Sequence, residues 1–322
     1  MTFLQSLQGI LGLLLVVAVG YLLSARGWFP QEMRTFLPRL VTGVALPPFL
    51  MCTILNFFQR ETLLQNVAAI LLPLSAIVIT FALAVWLGRR FGVERRHFGL
   101  FCVCVAKPNT IFIGIPVNQA LFGPEALPFV LLYYFACTSL FWTLGLHCIR
   151  ADGSIRPPEG RAAWLVEAVK QILSPPMLGF LTGLALLLAD VRPPDFLMSA
   201  AGFLGDLTTP LALIFIGITV QSVDLRQLCR QGGQSLRDMA LALGGRLVLA
   251  PLIMAVLVLI FPVPELMGKV FIMQASLPVI VQVAILSAYY RTDPQFGSLM
   301  VSLSTLCSAL TIPIYMQLLQ LW

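Results

Sequence analysis

Long apolar stretches, broken by short charged ones, make up nearly all of this chain. Reading from one charged residue to the next, eight uncharged runs are long enough to cross a bilayer: 1–25, 40–59, 62–88, 126–149, 171–189, 247–264, 270–290 and 294–322. A hydrocarbon core about 30 Å thick needs roughly 20 residues of helix, each rising about 1.5 Å. Two further runs, 97–124 and 196–223, qualify once a single charge is admitted inside each, Lys107 in the first and Asp206 in the second. Runs such as 10–19 do not alternate in polarity, as the strands of a membrane barrel must. The pattern predicts an all-α polytopic membrane protein with ten transmembrane helices.

Composition narrows the class. Of 322 residues, 59% are apolar and 11% charged, against about 25% charged in soluble proteins, which excludes a water-soluble globule. The net charge of +6 would suggest nucleic acid in a soluble chain, but here its distribution decides. Fifteen of the twenty Lys and Arg fall in the loops after spans 1, 3, 5, 7 and 9 (Arg34, Arg39 and Arg237 among them), and three, Arg60, Arg192 and Lys269, fall on the other side. Cationic loops stay cytoplasmic, so both termini are expected on the non-cytoplasmic face of the cytoplasmic (inner) membrane. No Lys or Arg precedes the first span, which therefore does not read as a cleavable signal peptide. Cysteines sit mostly in spans as small buried hydrophobes, with Cys229 in a cytoplasmic loop. His97 and His147, at the cytoplasmic ends of spans 4 and 5, read as interfacial residues too far apart for a zinc site. No cofactor or metal is expected.

The two halves share their punctuation. Pro47-Pro48 of span 2 corresponds to Pro210 of span 7, and Pro108 of span 4 to Pro278 of span 9. With five spans each, 1–150 and 151–322, the second half must enter the membrane from the opposite side: an inverted repeat, the plan of many secondary transporters, whose binding site forms at broken helices near the bilayer midplane. Pro108 removes a backbone donor and pushes Lys107 away from helical geometry, so span 4 is expected to open there. A broken helix is tolerated only in protein or against a water-filled cavity. Asn109 and Thr110 follow at once, able to satisfy freed backbone groups, and Gln274, Ser276 and Gln282 flank Pro278. Half-helix N-termini meeting at such a centre favour an anion. A pair of simple proline kinks is the alternative.

Pro108-Asn-Thr-Ile-Phe-Ile-Gly-Ile-Pro116, with Ala120-Leu-Phe-Gly123, resembles the broken fourth helix of auxin efflux carrier family permeases. Leu204-Gly-Asp-Leu-Thr-Thr-Pro-Leu-Ala-Leu213 with Gly217 is similar to their seventh helix. Arg246-Leu-Val-Leu-Ala-Pro251 and Ala275-Ser-Leu-Pro278 are similar to the eighth and ninth. The resemblance runs along essentially the whole chain, in a compact bacterial form close to malonate carriers. It implies a scaffold of helices 1, 2, 6 and 7, a transport domain of helices 3–5 and 8–10, crossed helices 4 and 9 around the substrate, and an elevator-like movement. The chain departs from the family at Lys107, a place usually uncharged, and at Val279 and Gln282, where many bacterial members have Pro and Asn.

The candidate substrate-binding residues are Lys107, Pro108, Asn109, Thr110, Pro278 and Gln282. Asp206, deep in span 7, is a coupling carboxylate or a structural partner of Lys107 or Arg246, since an ionisable side chain at that depth needs a cavity or a partner. Arg246 reads as a side chain snorkelling to the cytoplasmic surface. Asn118 and Gln119 lie too far along the second half of span 4, and Thr53 and Asn56 read as packing residues. The expected partners are a small organic anion, a carboxylate by preference, the lipid bilayer, protons as the candidate coupling ion, and a second copy through the scaffold helices; no nucleic acid is expected. A channel or sensor on a transporter fold is the alternative, although channels present rings of like groups. An intramembrane enzyme is weaker, because no span carries a metal pair or a nucleophile with its base, and no Gly-rich loop suggests a pump.

Overall fold

A computed structural model describes residues 3–30, 32–57, 67–153, 173–221 and 232–321. Cys229 and the loop cations Arg60, Arg156, Arg161, Lys170, Arg226 and Arg230 lie outside them. Among the described residues the protein is helical throughout, with one isolated bridge. The helices are α1 (Phe3–Ala25), α2 (Thr35–Phe57), α3 (Leu71–Phe91), α4 (Phe98–Ala106), α5 (Gly114–Phe122), α6 (Pro124–Asp152), α7 (Pro175–Leu188), α8 (Asp195–Gln221), α9 (Gly233–Ile260), α10 (Glu265–Ala275), α11 (Gln282–Tyr289) and α12 (Pro294–Gln320). Six of them, α2, α3, α6, α8, α9 and α12, are long and apolar enough to cross a membrane; α7 and the 11–25 part of α1 are shorter apolar helices. The fourth and ninth runs are each two short helices with a gap. Together these make a polytopic helical membrane protein.

Prolines explain most of the local irregularities. Pro47 and Pro48 cannot donate to the carbonyls of Gly43 and Val44, and α2 answers with a π turn at Val41–Ala45. Pro210 leaves the Asp206 carbonyl without its donor, and α8 bends at Leu207 between Asp195–Asp206 and Thr208–Gln221. Pro251 cannot donate to Leu247, and there α9 carries the π turn Gly245–Leu249. The orphaned Leu247 carbonyl is caught by the Tyr315 hydroxyl of α12 at 2.6 Å. One span is longer than its uncharged run. Arg237, Asp238 and Arg246 belong to α9, which begins at Gly233 rather than near residue 247, and Arg39 lies inside α2.

Two compact units divide the chain. One comprises Met1–Ala69, Ile111–Leu132 and Val169–Gln221. Its helices meet through glycine: a Cβ on Gly217 would strike the Val17 carbonyl and Tyr21 amide of α1, and one on Gly179 the Pro47 backbone of α2. With no hydrophobic drive between helices in lipid, such close backbone approach supplies the packing. The other unit comprises Ile70–Thr110, Tyr133–Ala168 and Ser222–Trp322, built around α3, α4, α9, α10 and α12 and the later part of α6. A buried cluster, including Leu100, Phe101, Val103, Val105, Met239, Val279 and Met300, fills its centre.

Candidate functional site

Inside the second unit the two breaks meet. Helix α4 ends at Ala106, and Lys107 is extended, with φ −112° and ψ 107°. Helix α10 ends at Ala275, one residue before Ser276 and three before Pro278. Pro108 and Val279 form an antiparallel bridge: Asn109 N donates to Pro278 O at 2.8 Å, and Ile280 N donates to Lys107 O at 3.1 Å. Both bonds flank the Pro108–Val279 pair, so these two residues occupy the non-hydrogen-bonded position, whose amides point away from the partner strand. Pro108 has no amide to lose there. Val279 has one, and it donates to Ser304 Oγ of α12 at 3.0 Å. Each break thus supplies the backbone partners that the other lacks, the condition for irregular backbone at membrane depth.

The side chains at the bridge are buried. Lys107 and Gln274 are wholly inaccessible, Asn109 and Thr110 nearly so. Lys107 Nζ donates to the Cys137 carbonyl of α6 at 3.5 Å, and the Cys137 thiol lies 3.9 Å from the Pro108 carbonyl. Within its own unit no carboxylate pairs with Lys107 among the described residues. Gln274 Nε2 reaches the Thr110 carbonyl at 3.5 Å while its Oε1 has no partner among the described residues. Gln282 opens α11, partly buried, and its Oε1 is likewise unpartnered. Tyr133 of α6 packs edge-on to Phe271 of α10, ring centres 6.0 Å apart. The buried ammonium at the bridge can hold an anion, while the unpartnered amide oxygens of Gln274 and Gln282 accept only from a donor.

Of the residues expected at the site, Lys107, Pro108, Asn109, Thr110 and Pro278 therefore converge at the bridge, with Gln282 beginning the next helix. Asp206 belongs to the other unit, where it is exposed at the bend of α8. Gln119 sits beside Thr209, 3.5 Å between Oε1 and Oγ1, and Asn118 donates to its own helix at Gly114 O. Thr53 is buried and donates to Phe49 O one turn back, as packing residues do, while Asn56 is exposed.

Two readings need correction. Arg246 does not snorkel: it is 1% exposed, and its guanidinium donates to the carbonyls of Val105 at 2.9 Å and of Ala275. Both acceptors are last-turn carbonyls of broken helices, which a sequence does not show as free. His97 is not interfacial but wholly buried, set between Asp238 Oδ2 at 3.1 Å and Asp293 Oδ2 at 3.2 Å; His147 is exposed. Ser304 and Cys137 were missed. Buried Ser304, Thr305 and Ser308 in an uncharged span are the one signal that could have found Ser304, because polar groups inside lipid-spanning helices mark a helix contact or a cavity.

Comparison with known proteins follows the same lines. A family profile described as "Membrane transport protein" matches residues 6–316. An uncharacterized transporter of Methanothermobacter thermautotrophicus is 26% identical over 318 residues, covering 98% of this chain and 99% of that one. An uncharacterized transporter of Methanocaldococcus jannaschii is 21% identical over 310 residues, covering 95% and 96%.

Proposed function

Because the chain belongs to the auxin efflux carrier family of membrane transport proteins, we propose that it is a secondary active transporter for a small organic anion, a carboxylate, in the cytoplasmic membrane. The observation that carries the reading is Lys107. An ammonium removed from water is costly unless paired, and Lys107 is wholly buried with one long carbonyl contact among the described residues. A substrate carboxylate supplies the missing countercharge, and the unpartnered amide oxygens of Gln274 and Gln282 are acceptors for a hydroxyl it carries. Alternating access by an elevator-like movement, the 5+5 inverted repeat, both termini outside and a dimer through spans 1, 2, 6 and 7 complete the reading.

The test is a thermal-shift screen of the purified protein against mono- and dicarboxylates at two pH values, repeated with Lys107→Gln. At least one carboxylate should stabilise the parent, and the variant should stay folded while losing affinity by more than about tenfold, or ~1.4 kcal/mol. A parent that responds to no carboxylate, or a variant that binds as well as the parent, would overturn the proposal.

A further inference from the structure

Arg246 is a second wholly buried cation beside the crossing, and substrate recognition through Lys107 makes no use of it. It stands in the π turn Gly245–Leu249 of α9. Its acceptors are Val105, the penultimate residue of α4, and Ala275, the last residue of α10. The C-terminal end of a helix leaves carbonyls unpaired and carries about half a negative charge. The crossing brings two such ends together, and one guanidinium spans both.

The fit is specific. A planar fork can donate in two directions at once, whereas an ammonium is a point charge on a flexible stem. Gly245 gives the approach: a Cβ there would come within 2.9 Å of the Val105 side chain, so α9 lies close enough to α4 for the next residue to reach the carbonyls. Tyr315, bonded to Leu247 O, braces the same turn from α12. Among the described residues no carboxylate of this unit pairs with Arg246; the helix ends are its counterions.

In transporters with discontinuous helices, half-helix C-termini and unwound carbonyls are where a coupling Na⁺ is held. We infer that Arg246 is a resident cation which takes this place permanently, so that the crossing holds its shape and works without a bound Na⁺. Arg246 is thus a positioning residue for the substrate site. The inference rests on the transport reading of the crossing, yet its test needs no substrate.

Thermal unfolding of the purified parent in NaCl, KCl and choline chloride of equal ionic strength should give one midpoint. Arg246→Ala should melt at least about 5 °C lower, and low-millimolar guanidinium or Na⁺, but not choline or urea, should recover part of the loss. A merely space-filling arginine would not be replaced by a free cation. A Na⁺-specific rise in the parent midpoint, an alanine variant as stable as the parent, or a loss that no small cation recovers would each overturn the inference. Should Arg246→Ala fail to fold, a Na⁺-specific rise in the parent midpoint still overturns the inference. A carboxylate screen that fails leaves these outcomes untouched, and the reverse also holds.

Discussion

Lys107 and Asp206 are ionisable residues that the hydropathy pattern places inside spans; Lys107 is wholly buried in its unit, and Asp206 is exposed in the other. Two arrangements are open to them under the proposed function. In the first, the substrate carboxylate competes with Asp206 for Lys107, and Asp206 takes up a proton when it is displaced. Asp206→Asn should then abolish accumulation driven by a pH gradient while substrate exchange partly survives; uptake that still follows the gradient in the variant reduces Asp206 to a structural role. In the second, a permanent pair holds two helices together. Lys107→Gln would then destabilise the protein, and adding Asp206→Asn would restore it, since the unpaired charge is gone. Unfolding of the single and double variants separates the two, because only the permanent pair predicts that the second substitution repairs the first.

At the scale of elements, the crossing is held by backbone groups more than by side chains, and its weak point is the amide that the bridge turns outward. Val279 N has Ser304 Oγ as its acceptor, whereas the Ser308 hydroxyl only donates back to Thr305 of its own helix. Ser304→Ala should therefore cost about 1–3 kcal/mol by leaving a buried donor unmade, and Ser308→Ala less, because it removes the donor itself and strands no backbone amide. Equal costs in thermal or denaturant unfolding would mean that Ser304 does not complete the bridge. The breaks themselves were legible, because proline has a local and certain effect on a helix: Pro108 and Pro278 point to the places where α4 and α10 stop. What the proline pattern could not convey is where the freed groups go, since the partners of Lys107 O, Val279 N and Val105 O come from residues about 140 to 170 positions away or from another helix. The start of α9 was hidden for a related reason. Counting charges as loop markers fails where Asp238 and Arg246 are neutralised by tertiary contacts.

For the whole molecule, the same logic extends to the end of the second unit opposite the breaks along α4, where four helices are tied by charge. His97, in the turn ahead of α4, is stacked on Phe296 of α12, ring centres 4.2 Å apart, and faces Asp238 of α9 and Asp293 at the start of α12. Asp152 at the end of α6 caps the amide of Leu100 at 2.9 Å, and Arg96 and Arg237 surround the group, 3.6 Å from Asp293 and 3.4 Å from Asp238. Ionised carboxylates only accept, so the arrangement suits a ring that donates from both nitrogens, as an imidazolium does. Burial opposes that charge, but the hydrogen bonds and charges of Asp293 and Asp238 outweigh it and hold the His97 pKa above its ordinary 6.5. Burial likewise works against Asp293, yet its bonds to His97 and to the Phe296 amide hold its carboxyl below the usual 3.8. A folded pKa raised above the unfolded one gives stability that is complete below the unfolded value and fades as the pH climbs through the folded one. The protein should accordingly lose stability as the pH climbs above 6.5 and through the raised folded value, as the ring gives up its second proton and α9 and α12 are left with facing carboxylates. Melting midpoints taken from pH 6 to pH 9 on the parent and on His97→Gln test this: the parent should fall across the range, and the variant should start lower and change far less. Parallel curves would show that the pH dependence arises elsewhere and that this histidine does not bind the helices through its charge.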